Sequence, residues 1–140
     1  MAIAIRTTLD TNVLFYALTI NPKTNIASRV LEDCDFLSVQ ALNEYANAAV
    51  RKRERTLAEV SQDLDALTKA MPYICSVELA HHRSALKIAA RYRLSFYDSL
   101  MIAVALENDA AVLYSEDMQH GLVIDGTLTI TNPFLPTDAQ

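Results

Sequence analysis

The stretch IAIRTTLDTNVLFYALT, residues 3–19, changes character at a single residue. Residues 3–9 are mostly apolar or β-branched and read as a short strand that ends on Asp10. Residues 12–19 continue as a short helix, with Thr11 or Asn12 available to cap it. A strand ending on a carboxylate and passing at once into a helix is an α/β signature. The rest of the chain repeats the alternation.

Beyond Pro22, residues 23–34 carry Ile26, Val30 and Leu31 at helical spacing. The run DFLSV (35–39) reads as a strand, followed by helices over 41–53 and 56–70, the second opened by Thr56 with Glu59 in capping-box register. PYICSV (72–77) is a further strand, helices follow over 78–92 and 97–108, and AAVLYS (110–115) and TLTIT (127–131) supply two more strands. Only two glycines and four prolines interrupt this pattern, so helices dominate and connections are short. Strands and helices alternating in this way predict an α/β domain with a mainly parallel sheet, spanning residues 1–140 as one unit. In such sheets ligands bind beyond the carboxyl ends of strands, at the topological switch point, which singles out Asp10 and Asp117.

Composition narrows the function. With 51% apolar and 21% charged residues the chain is an ordinary globular one, not a disordered one. The N-terminus lacks a basic n-region and reads as no signal peptide, and no apolar run reaches the ~20 residues of a membrane helix. Cys34 and Cys75 stand apart from each other and from His81, His82 and His120, so no zinc or redox spacing exists. They read as buried thiols in a reducing cytoplasm. The net charge of −5 is unfavourable for a nucleic-acid binder, yet eight of the twelve Lys and Arg residues fall in two segments, RKRER (51–55) and RSALKIAARYR (83–93). Arg83, Lys87 and Arg91, four apart, share one helix side and are candidate RNA contacts, beside the plainer reading of a solvated helix face. No Walker loop, Rossmann glycine fingerprint or nucleophile triad motif is present.

Four acids sit where charge is costly. Asp10 and Asp117 follow apolar strands, and Glu44 lies near a helix start among Ala41, Tyr45 and Ala48. Asp98, inside LSFYDSLMIAVAL (94–106), occupies the first turn of a helix that Ser95 can cap. Each alone has an ordinary explanation; an acid in a first turn gains up to ~1 kcal/mol from the helix dipole. If they converge, they require a compensating cation or shared protons. Oxygen-only donors point to a hard ion, Mg²⁺ or Mn²⁺.

LDTNVLFYAL, LNEYANAAVRK, LSFYDSLMIAVAL and LYSEDMQHG, in that order and with NPF near the end, resemble the PIN-domain ribonucleases, most closely the VapC-type toxins of bacterial toxin–antitoxin pairs. The resemblance implies a three-layer α/β/α domain around a mainly parallel sheet. It implies an Mg²⁺- or Mn²⁺-dependent endoribonuclease that hydrolyses RNA with a metal-activated water, leaving a 5′-phosphate and a 3′-hydroxyl. A cognate antitoxin and a homodimer are implied as well. Carried over by residue, Asp10, Glu44, Asp98 and Asp117 are the metal-binding and catalytic acids, and Asn12 and Ser115 the polar residues that hold them. The motif favours Asp117 over its neighbour Glu116, and His120 receives no role. Two alternatives stand beside this reading. One is a catalytically silent PIN-fold module that binds RNA or protein, against which four intact acids count. The other is a small-phosphate hydrolase, whose nucleophilic Asp would want a second acid that DTN lacks.

Overall fold

The computed structural model describes residues 5–136. Its elements follow the order β1 (Thr7–Leu9), α1 (Thr11–Leu18), α2 (Thr24–Asp33), β2 (Leu37–Ser38), α3 (Val39–Arg51), α4 (Leu57–Ala70), β3 (Ile74–Cys75), α5 (Leu79–Tyr92), α6 (Phe96–Glu107), β4 (Val112–Tyr114), β5 (Val123–Ile124) and β6 (Leu128–Thr131). The expected strand over 3–9 is therefore described only from Thr7, and residues 3 and 4 lie outside the described residues. Each remaining predicted helix and strand is present, with the strands trimmed at their ends.

β1, β4, β6 and β5 form one sheet in that order, β1–β4 and β4–β6 parallel and β5–β6 antiparallel. β2 and β3 pair parallel beside it. The Asp35 N–H donates to the Thr7 carbonyl at 2.9 Å and the Thr8 hydroxyl to the Phe36 carbonyl at 2.7 Å, joining the β2 segment to the free side of β1. The chain thus builds outward from β1 to β2 and β3, then returns through α5 and α6 to place β4 on the opposite side. The switch point falls between β1 and β4. Helices pack on the sheet to complete a three-layer α/β/α architecture, and among the described residues none is long and apolar enough to cross a membrane.

Packing explains the order of elements. In α6 every residue from Ser99 to Ala105 is buried, so this helix is apolar all round and forms the centre of the core. Tyr45 of α3 is fully buried, and its hydroxyl reaches Asp63 of α4 at 3.2 Å, where Arg55 closes a bidentate ion pair. Cys34 and Cys75 are buried free thiols, and burial pushes them up to about 12 and about 11, which keeps both protonated at neutral pH. Thr56 and Glu59 form the expected capping box.

Two local readings need correction. The cap of α1 is Asp10 itself, not Thr11 or Asn12: its carboxylate accepts the Thr11 N–H at 2.7 Å, because the strand delivers that side chain directly over the helix start. Strand β5 was not anticipated. It pairs with β6 through a tight turn in which Asp125 (φ 51°) and Gly126 (φ 71°) both have positive φ, closed by Thr127 N–H to the Ile124 carbonyl at 3.0 Å. The Asp-Gly pair between Ile124 and Thr127 is the sequence signal of such a hairpin.

Candidate active site

The C-terminal ends of β1 and β4 lie side by side, since Leu9 pairs with Tyr114. Asp10 and Ser115, each one residue further on, therefore meet. Ser115, fully buried, donates its hydroxyl to Asp10 Oδ2 at 2.9 Å. Asp10 is only 5% exposed, yet it faces a cleft of about 730 Å³ between α1, α3 and the start of α6. Glu44, Asp98 and Asp117 line the same cleft. The four acids singled out from sequence are brought together.

Each arrives by a different route. Ser38 caps α3, and Glu44 stands in the second turn of that helix, facing α1. Thr11 donates to Glu44 Oε1 at 3.0 Å and Gln40, one turn earlier, to Oε2 at 2.9 Å. Ser95 caps α6 by accepting the Asp98 N–H at 3.2 Å, so Asp98 is both a first-turn acid and a wall of the cleft. The plain reading of Asp98 and the functional one hold together. Asn12 connects the remaining pair, its amide donating to Asp10 Oδ2 at 3.3 Å and Asp117 Oδ2 at 3.2 Å. The Asn12 carbonyl oxygen accepts the Glu116 N–H at 3.1 Å, which fixes the loop after β4.

Glu116 goes elsewhere. It accepts the Tyr16 hydroxyl at 2.6 Å and an ion pair from Lys23, and it does not line the cleft. Burial acts to raise its pKa, but the bonds from Lys23 and Tyr16 outweigh that and leave it lowered. His120 is exposed and accepts the Asn132 N–H at 2.9 Å, a loop contact away from the acids.

Electrostatics register the convergence. Burial raises the Asp10 carboxyl to about 6; the Thr11 N–H and the Ser115 hydroxyl oppose this, and the charges of Asp98 and Glu44 add to it. Burial also raises Asp98, opposed by Ser95 and reinforced by the charge of Asp117. Among the described residues no Lys, Arg or His pairs with any of the four acids. This is uncompensated negative charge in a partly desolvated cleft. An oxygen-only donor set of this kind fits a hard divalent cation. As they stand, no three of these side chains are grouped tightly enough to hold one ion; Thr11, Asn12, Gln40 and Ser115 occupy carboxylate lone pairs instead.

The structure separates two basic segments that sequence treated alike. Arg83, Lys87 and Arg91 are exposed on α5 and line no part of the cleft, and Arg91 pairs with Asp125 at 3.3 Å. Arg51 and Lys52, at the end of α3, do line it. Sequence reasoning missed these two together with Thr11 and Gln40. The signal was available: Gln40, Glu44 and Arg51 fall at positions i, i+4 and i+11 of one helix face.

Residues 7–121 match the family model for the PIN domain. Among solved structures, a toxin–antitoxin complex from Klebsiella pneumoniae superposes with TM-score 0.69 at 17% identity, covering 91% of this chain and 98% of that one. VapC20 of Mycobacterium tuberculosis, described as a sarcin–ricin-loop-cleaving toxin, gives TM-score 0.66 at 15% identity, covering 79% and 89%. VapBC2 of Rickettsia felis, bound to promoter DNA, gives 0.59 at 15% identity, covering 79% and 87%. No curated protein matches the chain. At these identities the structures establish a shared fold. The family model extends from β1 through the acidic loop after β4, and with it the chain belongs to the PIN-domain family.

Proposed function

We propose that this chain is a single-domain, Mg²⁺- or Mn²⁺-dependent endoribonuclease, the toxin of a type II toxin–antitoxin pair. One observation carries the reading: four carboxylates from four separated segments share a cleft at the switch point, and among the described residues no protein cation is paired with them. Nature of the fold supports it, since the similar structures include a toxin and toxin–antitoxin complexes. Asp10, Glu44, Asp98 and Asp117 are the residues that would hold the ion. It would neutralise charge on the scissile phosphate and lower the pKa of a water.

The chain's own contributions follow from its hydrogen bonds. Ser115 and the Thr11 N–H orient Asp10, Thr11 and Gln40 hold Glu44, and Asn12 spaces Asp10 from Asp117. Fixed carboxylates need no reorganisation when charge develops. Outside the cleft, Arg83, Lys87 and Arg91 are assigned as further contacts to the RNA backbone. The partners are an antitoxin that covers the cleft and a second copy of the chain, in the cytoplasm.

The test is cleavage of a mixed RNA pool by the purified chain with Mg²⁺ or Mn²⁺. Cleavage that chelator abolishes and Asp98→Asn removes supports the reading; intact RNA under every metal condition overturns it. In cells, induction of the chain alone is expected to arrest growth, with relief on co-production of its antitoxin. Equal arrest by Asp10→Asn would mean that the toxicity is not catalytic.

A further inference from the structure

Helix α3 presents more to the cleft than Glu44. Asn43, Asn47 and Arg51 recur every four residues along one face, all exposed and all lining the cleft. At a rise of 1.5 Å per residue this row is about 12 Å long. Lys52 joins it at the far end, its ammonium 4.6 Å from the centre of the Phe15 ring. Among the described residues neither amide makes a side-chain hydrogen bond and neither Arg51 nor Lys52 makes an ion pair. The last point is informative, because the cleft is rich in carboxylates that two nearby cations would be expected to neutralise. Both line the cleft with their charge unpaired by any described carboxylate. Across the cleft, beside Asp98, Tyr97 is 61% exposed, its ring edge-on to Phe96 with centroids 5.5 Å apart. Beyond that edge contact the ring stands in water at the mouth of a polar cleft.

We propose that the Asn43–Asn47–Arg51 face of α3, ending in Lys52, is a track for one RNA strand leading to the four acids, with Tyr97 stacking a base on the opposite wall. The inference rests on the ribonuclease reading above and adds the side chains that hold the strand and a base beside the acids. The chemistry at each position agrees. Guanidinium and ammonium take phosphate oxygens, amides take sugar and base edges in either hydrogen-bonding sense, and an exposed ring takes the face of any base. A duplex keeps its bases stacked and offers Tyr97 nothing. The cations lie at one end of the row and the acids at the other, so the track attracts the strand away from the place where its phosphate meets like charge.

The experiment measures binding of a fluorescent single-stranded RNA 12-mer of mixed sequence, by anisotropy over a range of KCl, with Mg²⁺ present. An Asp98→Asn background keeps the probe intact, and cleavage by the parent is assayed separately. Arg51→Gln/Lys52→Gln is expected to weaken binding and to lower the slope of log Kd against log [KCl] by about 1.4, from ~0.7 per phosphate contact on a single strand. Tyr97→Ala is expected to weaken binding by roughly 5- to 150-fold, while Tyr97→Phe binds as its parent does. The same RNA annealed into a duplex should compete poorly. All three substituted residues are exposed, so unchanged melting temperatures accompany these losses. An unchanged salt slope in the double variant, or equal binding of duplex and single strand, overturns the track while RNA cleavage by the parent leaves the enzyme reading standing. Loss of antitoxin binding with RNA binding intact also overturns it, assigning this face to a protein. No cleavage by the parent is a failure of the enzyme reading instead.

Discussion

Asp10 provides a test of the site that needs no substrate. Its carboxyl is raised from 3.8 to about 6, first by burial and then by the charges of Asp98 and Glu44. At 1.36 kcal/mol per pH unit, this corresponds to about 3 kcal/mol. The folded state binds the proton more tightly than the unfolded one. Stability is therefore complete below 3.8 and is lost as pH rises through about 6, so at neutral pH the metal-free protein carries the whole penalty. Asp10→Asn removes the charge and keeps an oxygen for the Thr11 N–H, in a cap position where Asn serves as well as Asp. It forfeits the bond from the Asn12 amide, a loss of ~1 kcal/mol, while Ser115 can accept from the new amide. The net expectation at pH 7 with chelator is a variant more stable by about 2 kcal/mol, a rise in Tm of roughly 4–8 °C. At pH 4 the ionisation penalty falls to about 0.5 kcal/mol, below the lost hydrogen bond, and the parent should melt slightly higher. The assay is thermal melting of both proteins from pH 4 to 7.5 with chelator, then with Mn²⁺, which should restore the advantage to the parent at neutral pH. A parent–variant difference that does not change with pH would refute the picture of a buried acid held against its neighbours.

Asp98→Asn addresses the ligand set directly: an ion at ~100 times its dissociation constant adds about 2.7 kcal/mol to the parent and much less to the variant, and equal Mn²⁺-induced shifts in Tm would remove Asp98 from the set. Asn12→Ala deletes the amide between Asp10 and Asp117 and the acceptor for the Glu116 N–H; cleavage should fall roughly 10- to 100-fold, as for other residues that orient metal ligands. Full activity in that variant would show that the acids hold their places unaided. Arg83→Gln/Lys87→Gln on α5 should weaken RNA binding and flatten its salt dependence. An unchanged slope there makes the α5 stripe a solvated helix face.

The α/β alternation and the local settings of the four acids were legible in the sequence because both depend on local facts. Hydrophobic period, a strand that ends on Asp10 and a Ser95 cap before Asp98 can be read within a few residues. Asn12 stands in the same motif as Asp10, which it bonds, whereas Ser115 stands beside Asp117 in sequence but bonds Asp10 across the sheet. Strand ends were less legible, since β2 and β3 have two paired residues each and their length is set by the neighbour, not by propensity. Three further matters were decided only by the tertiary structure. Glu116 and Asp117 are adjacent and chemically alike, and which of them lines the cleft depends on Tyr16 and Lys23, which lie about a hundred residues earlier and draw Glu116 aside. Arg51 and Lys52 differ from Arg83 and Lys87 in that α3 borders the cleft and α5 does not. The raised pKa of Asp10 belongs to no motif, because desolvation and the fields of Asp98 and Glu44 exist only once α3 and α6 close around the end of β1.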